Sequence, residues 1–164
     1  MLDDIELMDA IEDFLTKPES EGGSGLSKNY VDSVYTYSPE SDKKDPYIIV
    51  SILTSNEERR EVDGGNEYEV QAQVSILTTN YSFGTPELKD SIQRLYVTTR
   101  EVRKVLESSN YLEYVRRHIG ATASTLRIGD ITRVYGQMTA GDSQHLTSHI
   151  ITPFIIFQDK PQLS

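Results

Sequence analysis

The most regular pattern in the chain is the alternation of hydrophobic and polar residues between Glu67 and Ile76. Because successive side chains of a strand point to opposite faces, this alternation predicts a strand with one core face and one polar face. The apolar run before it, residues 47–54, predicts a strand that is covered on both faces. The charged, glycine-containing stretch at residues 57–66 predicts the turn of an antiparallel hairpin between these two strands.

Helical spacing predicts two helices. In residues 2–16 the apolar side chains share one stripe, acidic residues occupy the first turn, and Lys17-Pro18 ends the helix. Thr85 at an N-cap and Pro86 at the first helical position begin a second helix, which we expect to be the longest element and to end near Ser108. An apolar and basic segment, residues 111–119, predicts one or two further helical turns.

The C-terminal third returns to β patterns, with strands predicted at residues 125–128 and 131–135 and a return strand from His145 to Phe157. The predicted fold class is α+β, a mostly antiparallel sheet of about four strands packed against one long helix, with a short N-terminal helix. We expect a single domain over residues 1–164, with an acidic helix at 2–16, an irregular segment at 17–45 and an α+β core at 46–158. The residues expected to be largely buried under the long helix are Val70, Val74, Ile92, Leu95 and Phe154.

The irregular segment, residues 17–45, is rich in Ser, Gly, Pro and acidic residues, and a structureless loop of this length is uncommon inside a compact domain. It also contains Tyr30, Tyr35 and Tyr37, which are amphipathic side chains suited to docking. Two interpretations stay open: the segment packs against its own domain or a neighbouring subunit, or it is disordered.

Charge is distributed unevenly. The formal net charge is −10; residues 1–63 hold 16 acidic and 6 basic side chains, whereas residues 64–164 hold 10 of each. Proteins that bind DNA or RNA usually carry a basic excess, because neutralised phosphates supply much of the affinity, so this balance argues against sequence-specific nucleic-acid binding. The chain has no cysteine, no long apolar run and an acidic start, which predicts synthesis in the cytoplasm without membrane insertion.

The sequence offers little for catalysis. His145 and His149 share a strand face but lie about 13 Å apart at the rise of a strand, too far to hold one metal ion. No glycine loop follows a strand and begins a helix, as a phosphate site requires. We therefore predict no catalytic residues, no metal, no cofactor and no enzymatic activity.

The order of the elements is more informative. An acidic helix leads into an irregular stretch that ends in Asp45-Pro46-Tyr47-Ile48-Ile49-Val50, and a hairpin follows whose second arm starts at Asn66-Glu67-Tyr68-Glu69-Val70. The long helix from Pro86 and a final hairpin that ends with residues 150–157 complete the chain. This order resembles that of the tail terminator, or tail completion, proteins of long-tailed bacteriophages over nearly the whole chain.

The resemblance implies a virion protein of the tail-neck region, assembled in the host cytoplasm as a homohexameric ring. Such a ring caps the last layer of tail tube protein, ends its polymerisation and joins the tail to the head connector or stopper protein. DNA is expected to pass through without specific binding. The segments at 17–45 and 111–120 depart from the family pattern. Two alternatives stay open: a head-completion, stopper or other neck protein, and a monomeric acidic binding or inhibitor module.

Two sets of residues follow as candidates for these contacts. The polar face of the alternating strand predicts a lumen-facing surface, although an ordinary solvated sheet face explains the same residues: Glu67, Glu69, Gln71 and Gln73. Polar hairpin tips and the tyrosines of the irregular segment are the predicted contacts with other subunits or with the tube: Glu58, Arg59, Arg60, Gln137, Met138, Asp142, Tyr30, Tyr35 and Tyr37.

Overall fold

The chain is built around one sheet, with two described helices before its first strand and two between its third and fourth strands. The structure is a computed structural model that describes residues 4–36, 46–62, 65–77, 86–120, 126–140 and 143–159. The helices are α1 (Asp4–Thr16), α2 (Lys28–Val31), α3 (Pro86–Leu106) and α4 (Ser109–Ile119), with a 3-10 turn at Glu19–Glu21. The strands are β1 (Val34–Tyr35), β2 (Tyr47–Val62), β3 (Gly65–Leu77), β4 (Leu126–Ile128), β5 (Thr132–Ala140) and β6 (Ser143–Asp159).

The strands lie in the order β1-β2-β3-β6, and both β4 and β5 pair with the outer edge of β6. The short β1 is parallel to β2, whereas every other pairing is antiparallel. The hairpin between β2 and β3 agrees with the sequence prediction, since Val62 lies opposite Gly65. One row across the sheet joins Val50, Val74 and Ile150, and all three side chains are fully buried.

We call the side of the sheet that carries this row the covered face, because helices α1, α3 and α4 pack on it. Phe14 of α1, Val102 of α3 and Tyr111 of α4 belong to the same buried cluster as Val74 and Phe154. Each large apolar side chain buried in this way contributes about 1.5–3 kcal/mol to stability relative to exposure. The expected burial is confirmed for Val70, Val74, Leu95 and Phe154 but is wrong for Ile92, which is half-buried.

The predicted fold class is wrong in its architecture. The described residues form a mixed sheet of six strands, whereas a mostly antiparallel sheet of about four strands was predicted. Three helices, α1, α3 and α4, pack on this sheet, whereas one long helix and a short N-terminal helix were predicted. The predicted positions of α1 and α3 agree with the structure. Segment 111–119, expected to add one or two turns, belongs to the eleven-residue helix α4.

Pro153 explains why two strands occupy one edge of β6. Ile128 lies opposite Phe154 and Thr132 opposite Ile151, so residues 129–131 face only two residues of β6. The Gly129 N–H donates to the Pro153 carbonyl at 2.8 Å, which shows that the backbone carbonyl of Pro153 faces this edge, and the proline nitrogen faces the same side. Because proline has no N–H, the hydrogen-bond ladder breaks at this point and the chain bulges.

The charged stretch predicted as a turn is mostly strand. β2 continues to Val62 and β3 begins at Gly65. Pairing with β3 at residues 60–62 overrides the low strand propensity of the charged residues there.

Residues 17–36 of the predicted irregular segment contact α1 and the sheet. The Ser24 N–H donates to the Phe14 carbonyl at 2.9 Å, and the Ile48 N–H donates to the Ser33 carbonyl at 2.8 Å. Residues 37–45 lie outside the described residues.

Truncation of Leu95 to Ala tests the position of α3. Leu95 is 3% exposed, so we expect the change to lower the free energy of unfolding by about 2–5 kcal/mol. Val97→Ala is the matched control, because Val97 is on the same helix and 43% exposed, and its truncation should cost less than about 1 kcal/mol. Chemical denaturation measures both variants, and equal losses would contradict this position of the helix.

Candidate assembly surfaces

The side of the sheet opposite the helices is here called the open face. It carries the alternate residues of each strand, including Ile49, Gln73 and Ile151 in one part and Glu69 and Ile155 in another. Its apolar members Ile49, Ile151, Ile155 and Phe157 are half-buried, whereas Tyr47 and Leu77 at one end of this face are buried, and all six lie outside the core cluster. Helices α1, α3 and α4 contribute their buried residues to the cluster on the covered face.

A polar row runs along β3 on the open face. The Gln73 amide donates to Ser75 Oγ at 2.9 Å, and Ser75 Oγ hydrogen-bonds His149 Nδ1 at 2.8 Å. Farther along the strand, the Gln71 amide lies 3.4 Å from Glu69 Oε1. The structure therefore brings three of the four predicted lumen-facing side chains, Glu69, Gln71 and Gln73, onto one surface.

The fourth predicted residue, Glu67, belongs to β3 and pairs with Phe157 through its backbone, but its side chain lies outside the described part. The assignment of this face to a channel stays a prediction.

An apolar row lies beside the polar one, and sequence reasoning missed it. Residues of β6 opposite β3 on the open face are Ile151, Pro153, Ile155 and Phe157. The signal was present in the sequence, because residues 150–157 are apolar at nearly every position, a pattern typical of a strand with contacts on both faces. The open face therefore offers polar and apolar groups side by side, as protein interfaces do.

His149 is the titratable group at the centre of the open face. Its imidazole is half-buried between Ser75 and Val134 in the row across the sheet, and this burial lowers its pKa from the ordinary value of 6.5. The neutral form is therefore favoured in the folded state, because partial burial penalises the charged imidazolium.

The predicted contact at the β2–β3 hairpin falls on a distorted part of the sheet. Asn56 pairs with Glu69 and Arg60 with Glu67, so residues 57–59 lie opposite the single residue Tyr68. Glu58 and Arg59 thus belong to a bulge in β2, and Arg60 resumes the pairing; their side chains lie outside the described part. Since β3 pairs with β6 as far as Asp159, this hairpin extends the sheet and is not a separate arm.

The β5–β6 hairpin does project. Gln137 pairs with Leu146 and Met138 with His145, whereas the pairing of β6 with β3 begins only at Thr147. The part of the hairpin around residues 137–140 and 143–146 is therefore a two-stranded ribbon beyond the end of β3. Asp142 lies outside the described residues.

The predicted tyrosines are not brought together with the hairpin tips. Tyr30 is half-buried in α2, and Tyr35 is half-buried in β1, where it pairs with Ile49. Tyr37 lies outside the described residues. Both described tyrosines thus contribute to packing of the segment on its own chain, and their contact with other subunits stays a prediction.

Helices α1 and α4 meet through a polar cluster that the sequence did not indicate. The Tyr114 hydroxyl donates to the Asp13 carboxylate, and Phe14 packs on Tyr111 and Tyr114 with ring centroids 5.0 and 5.7 Å away. Desolvation, followed by the hydrogen bond and charge of Asp13, raises the pKa of Tyr114 to about 12. Tyr114 therefore stays a neutral donor at physiological pH and holds α1 to α4.

Within the described ranges, no group of three or more His, Cys, Asp and Glu residues is arranged to hold a metal ion. None of the described helices is both long enough and apolar enough to span a membrane. No protein-family model matches the sequence, and no curated protein is significantly similar to it.

Replacement of His149 by Gln tests the environment of the open face through pH. Above about pH 6.5 the imidazole is neutral in both the folded and the unfolded chain, so its titration contributes no pH dependence there. As the pH falls from about 6.5 through the lowered pKa, the unfolded chain binds the proton first, and the free energy of unfolding decreases. His149→Gln should remove this part of the decrease.

The measurement is urea denaturation of both proteins between about pH 5 and 8. The free energy of unfolding of the wild type minus that of the variant should be constant at the alkaline end of this range. It should decrease towards the acidic end, because only the wild type loses stability through this imidazole. A difference that does not change with pH would contradict the burial of this imidazole.

Proposed function

We propose that this protein is a structural ring protein of a bacteriophage tail, which caps the tail tube, ends its polymerisation and joins it to the head connector. The observation that carries the proposal is the one-sided sheet. Helices cover one face, and in the described part of the chain no strand pairs with β2 beyond Ile49 or with the outer edge of β4 and β5. A subunit that contacts neighbours on several sides needs such surfaces, whereas exposed edges in a monomer favour aggregation.

The arrangement of layers supports an orientation within the ring. When copies associate side by side through their sheet edges, the sheets form a closed band. The bulkier helical layer fits on the outer, convex side, where more space is available, and the open face then lines the passage. This orientation directs Glu69, Gln71 and Gln73 inward, and it directs the projecting β5–β6 hairpin along the ring axis or towards a neighbour.

The charge balance supports a passage that does not retain DNA. The net charge of −10 gives a field that repels phosphate, most strongly at low salt. Two of the basic residues on α3 are offset locally, since Arg103 Nε lies 2.7 Å from Glu107 Oε1 and Arg100 Nε lies 3.7 Å from Glu101 Oε1. DNA therefore passes the ring without a specific site.

The direct test of the proposal is the growth of tail tubes in vitro from the tube protein of the same virus. Added protein should shorten the tubes and leave a ring at one end, as seen by negative-stain electron microscopy. An acidic protein of similar size is the control for unspecific effects. Tubes of unchanged length without end-bound rings, together with a strictly monomeric protein, would instead favour the acidic binding module.

A variant with a shortened β5–β6 hairpin tests whether this hairpin is needed for capping. Residues 139–144 are replaced by Asn-Gly, which removes the tip symmetrically and keeps Met138 opposite His145 across a two-residue turn. We expect the variant to fold and to lose capping, because the ribbon extends beyond the end of β3 and is not needed for the core.

Binding to duplex DNA gives a second prediction. At low ionic strength the free protein should bind duplex DNA no more tightly than about 10⁻⁴ to 10⁻⁶ M, the range of unspecific binders at higher salt. Fluorescence titration with a labelled duplex measures this affinity. Binding much tighter than about 10⁻⁶ M that weakens steeply with salt would contradict the passive passage and would indicate α3 as a DNA-binding surface.

A further inference from the structure

An exposed group of aromatic and basic side chains lies where α3 crosses β5. Tyr96 is 51% exposed and Tyr135 is 39% exposed, and their rings meet edge to face with centroids 5.0 Å apart. The Arg133 guanidinium lies 4.7 Å from the centroid of the Tyr135 ring. Arg100, one helical turn after Tyr96, has a side chain that is 74% exposed, and its Nε lies 3.7 Å from Glu101 Oε1, so Arg133 and Arg100 together leave the patch with a net positive charge. We call the two tyrosines and the two arginines the aromatic–basic patch.

This composition is typical of the centre of a protein interface. Tyrosine and arginine are enriched there, because each combines a large contact area with polar groups that can pair with a partner. The patch borders the outer edge of β5, where no described strand supplies further backbone partners. The chemistry that complements it is anionic, with apolar atoms to contact the rings.

Helix α1 carries such a surface on its first two turns. Asp4, Ile5, Glu6 and Asp9 are all exposed, and Ile5 is 65% exposed. We call these residues the acidic patch. The surrounding region has the same sign, since residues 4–36 hold eight acidic and two basic side chains. The pKa of Glu12 is raised, first by burial and then by the negative charges of Asp9 and Asp13.

The two patches belong to opposite edges of the sheet. Helix α1 contacts β1 and β2, and its last turn also meets α4, whereas the aromatic–basic patch lies on α3 and β5; β3 and β6 lie between β2 and β5. The distance from β2 to β5 is three strand spacings, or about 14 Å in the plane of the sheet. Among the described residues no ion pair joins the two patches within one copy, and two neighbouring copies can bring them together.

We propose that the aromatic–basic patch of one copy binds the acidic patch of the next copy, head to tail. The inference rests on the proposed ring and identifies the contact that builds it. Contact between two identical patches opposes like charges, so a two-fold dimer through either patch is disfavoured. A head-to-tail contact uses different surfaces on the two partners and repeats until the rotation closes a ring.

Charge reversal tests this contact with built-in controls. The first variant, Arg100→Glu with Arg133→Glu, leaves both patches acidic. The second, Glu6→Lys with Asp9→Lys, leaves both patches basic. Each variant alone should associate at least about tenfold more weakly than wild type. An equimolar mixture should assemble again, because each acidic patch then finds a basic one on the other variant.

The combined variant with all four changes provides a matched control, because it keeps the wild-type net charge and exchanges the signs of the two patches. It should assemble like wild type. Sedimentation velocity and light scattering at low salt measure assembly, and circular dichroism verifies the fold. Glu6→Lys also removes a favourable charge near the N-terminus of α1, so a small loss of thermal stability is expected in the second variant.

Several outcomes would overturn the inference: assembly that survives in both single-patch variants, a mixture that stays dissociated, or a wild-type protein that remains monomeric or stops at two copies. The first of these leaves the proposed function standing, with another interface. Conversely, rings that form from the mixture or from the combined variant but fail to cap tail tubes would support the contact between the patches and contradict the proposed function.

Discussion

Thirteen consecutive residues of β3 pair with β6 without a register shift, from Gly65 opposite Asp159 to Leu77 opposite Thr147. The side-chain period of a strand is two, so a slip of one residue would move every side chain to the other face. This pairing therefore decides that Val74, Ile150 and Phe154 meet the helices while Gln73 and Ile151 do not. β2 follows β3 through the hairpin, β4 and β5 follow β6, and the helices pack on the apolar surface that results.

The edge beyond β6 depends on one residue of that central strand. Pro153 has no N–H to offer, and the edge chain bulges at residues 129–131 as a consequence. The bulge lies beside the junction of α3 and α4, where it helps to form a groove of about 630 Å³ lined by Leu106, Tyr111 and Ile131 among others. Beyond the bulge, β5 continues along β6 into the ribbon, so the break does not prevent the projection of the hairpin.

The parts of the fold that the sequence predicted are those with a long periodic signal. The alternation in β3, the stripe of α3 and the stripe of α1 each extend over ten residues or more, so single exceptions do not hide the pattern. β1 has two residues and forms only because β2 offers it a parallel partner, which no local pattern reveals. Residues 60–62 are strand for a similar reason, since pairing with β3 outweighs their local preference.

The candidate surfaces were predictable only in part, because local sequence patterns do not show which strands and helices lie side by side. Glu69, Gln71 and Gln73 lie on one surface because a strand has period two, and their positions follow from sequence alone. The neighbouring apolar row of β6 and the contact of Tyr96 with Tyr135 depend on which strands and helices become neighbours.

The two edges of the sheet differ in the number of charged residues. Charged residues at 57–61 of β2 oppose indiscriminate edge pairing, whereas residues 132–140 of β5 include one charge, Arg133. An edge strand with a single charge favours aggregation unless two β5 strands are kept from pairing with each other. The positive charge of the aromatic–basic patch beside β5 opposes this pairing, because it repels the same patch on a second copy.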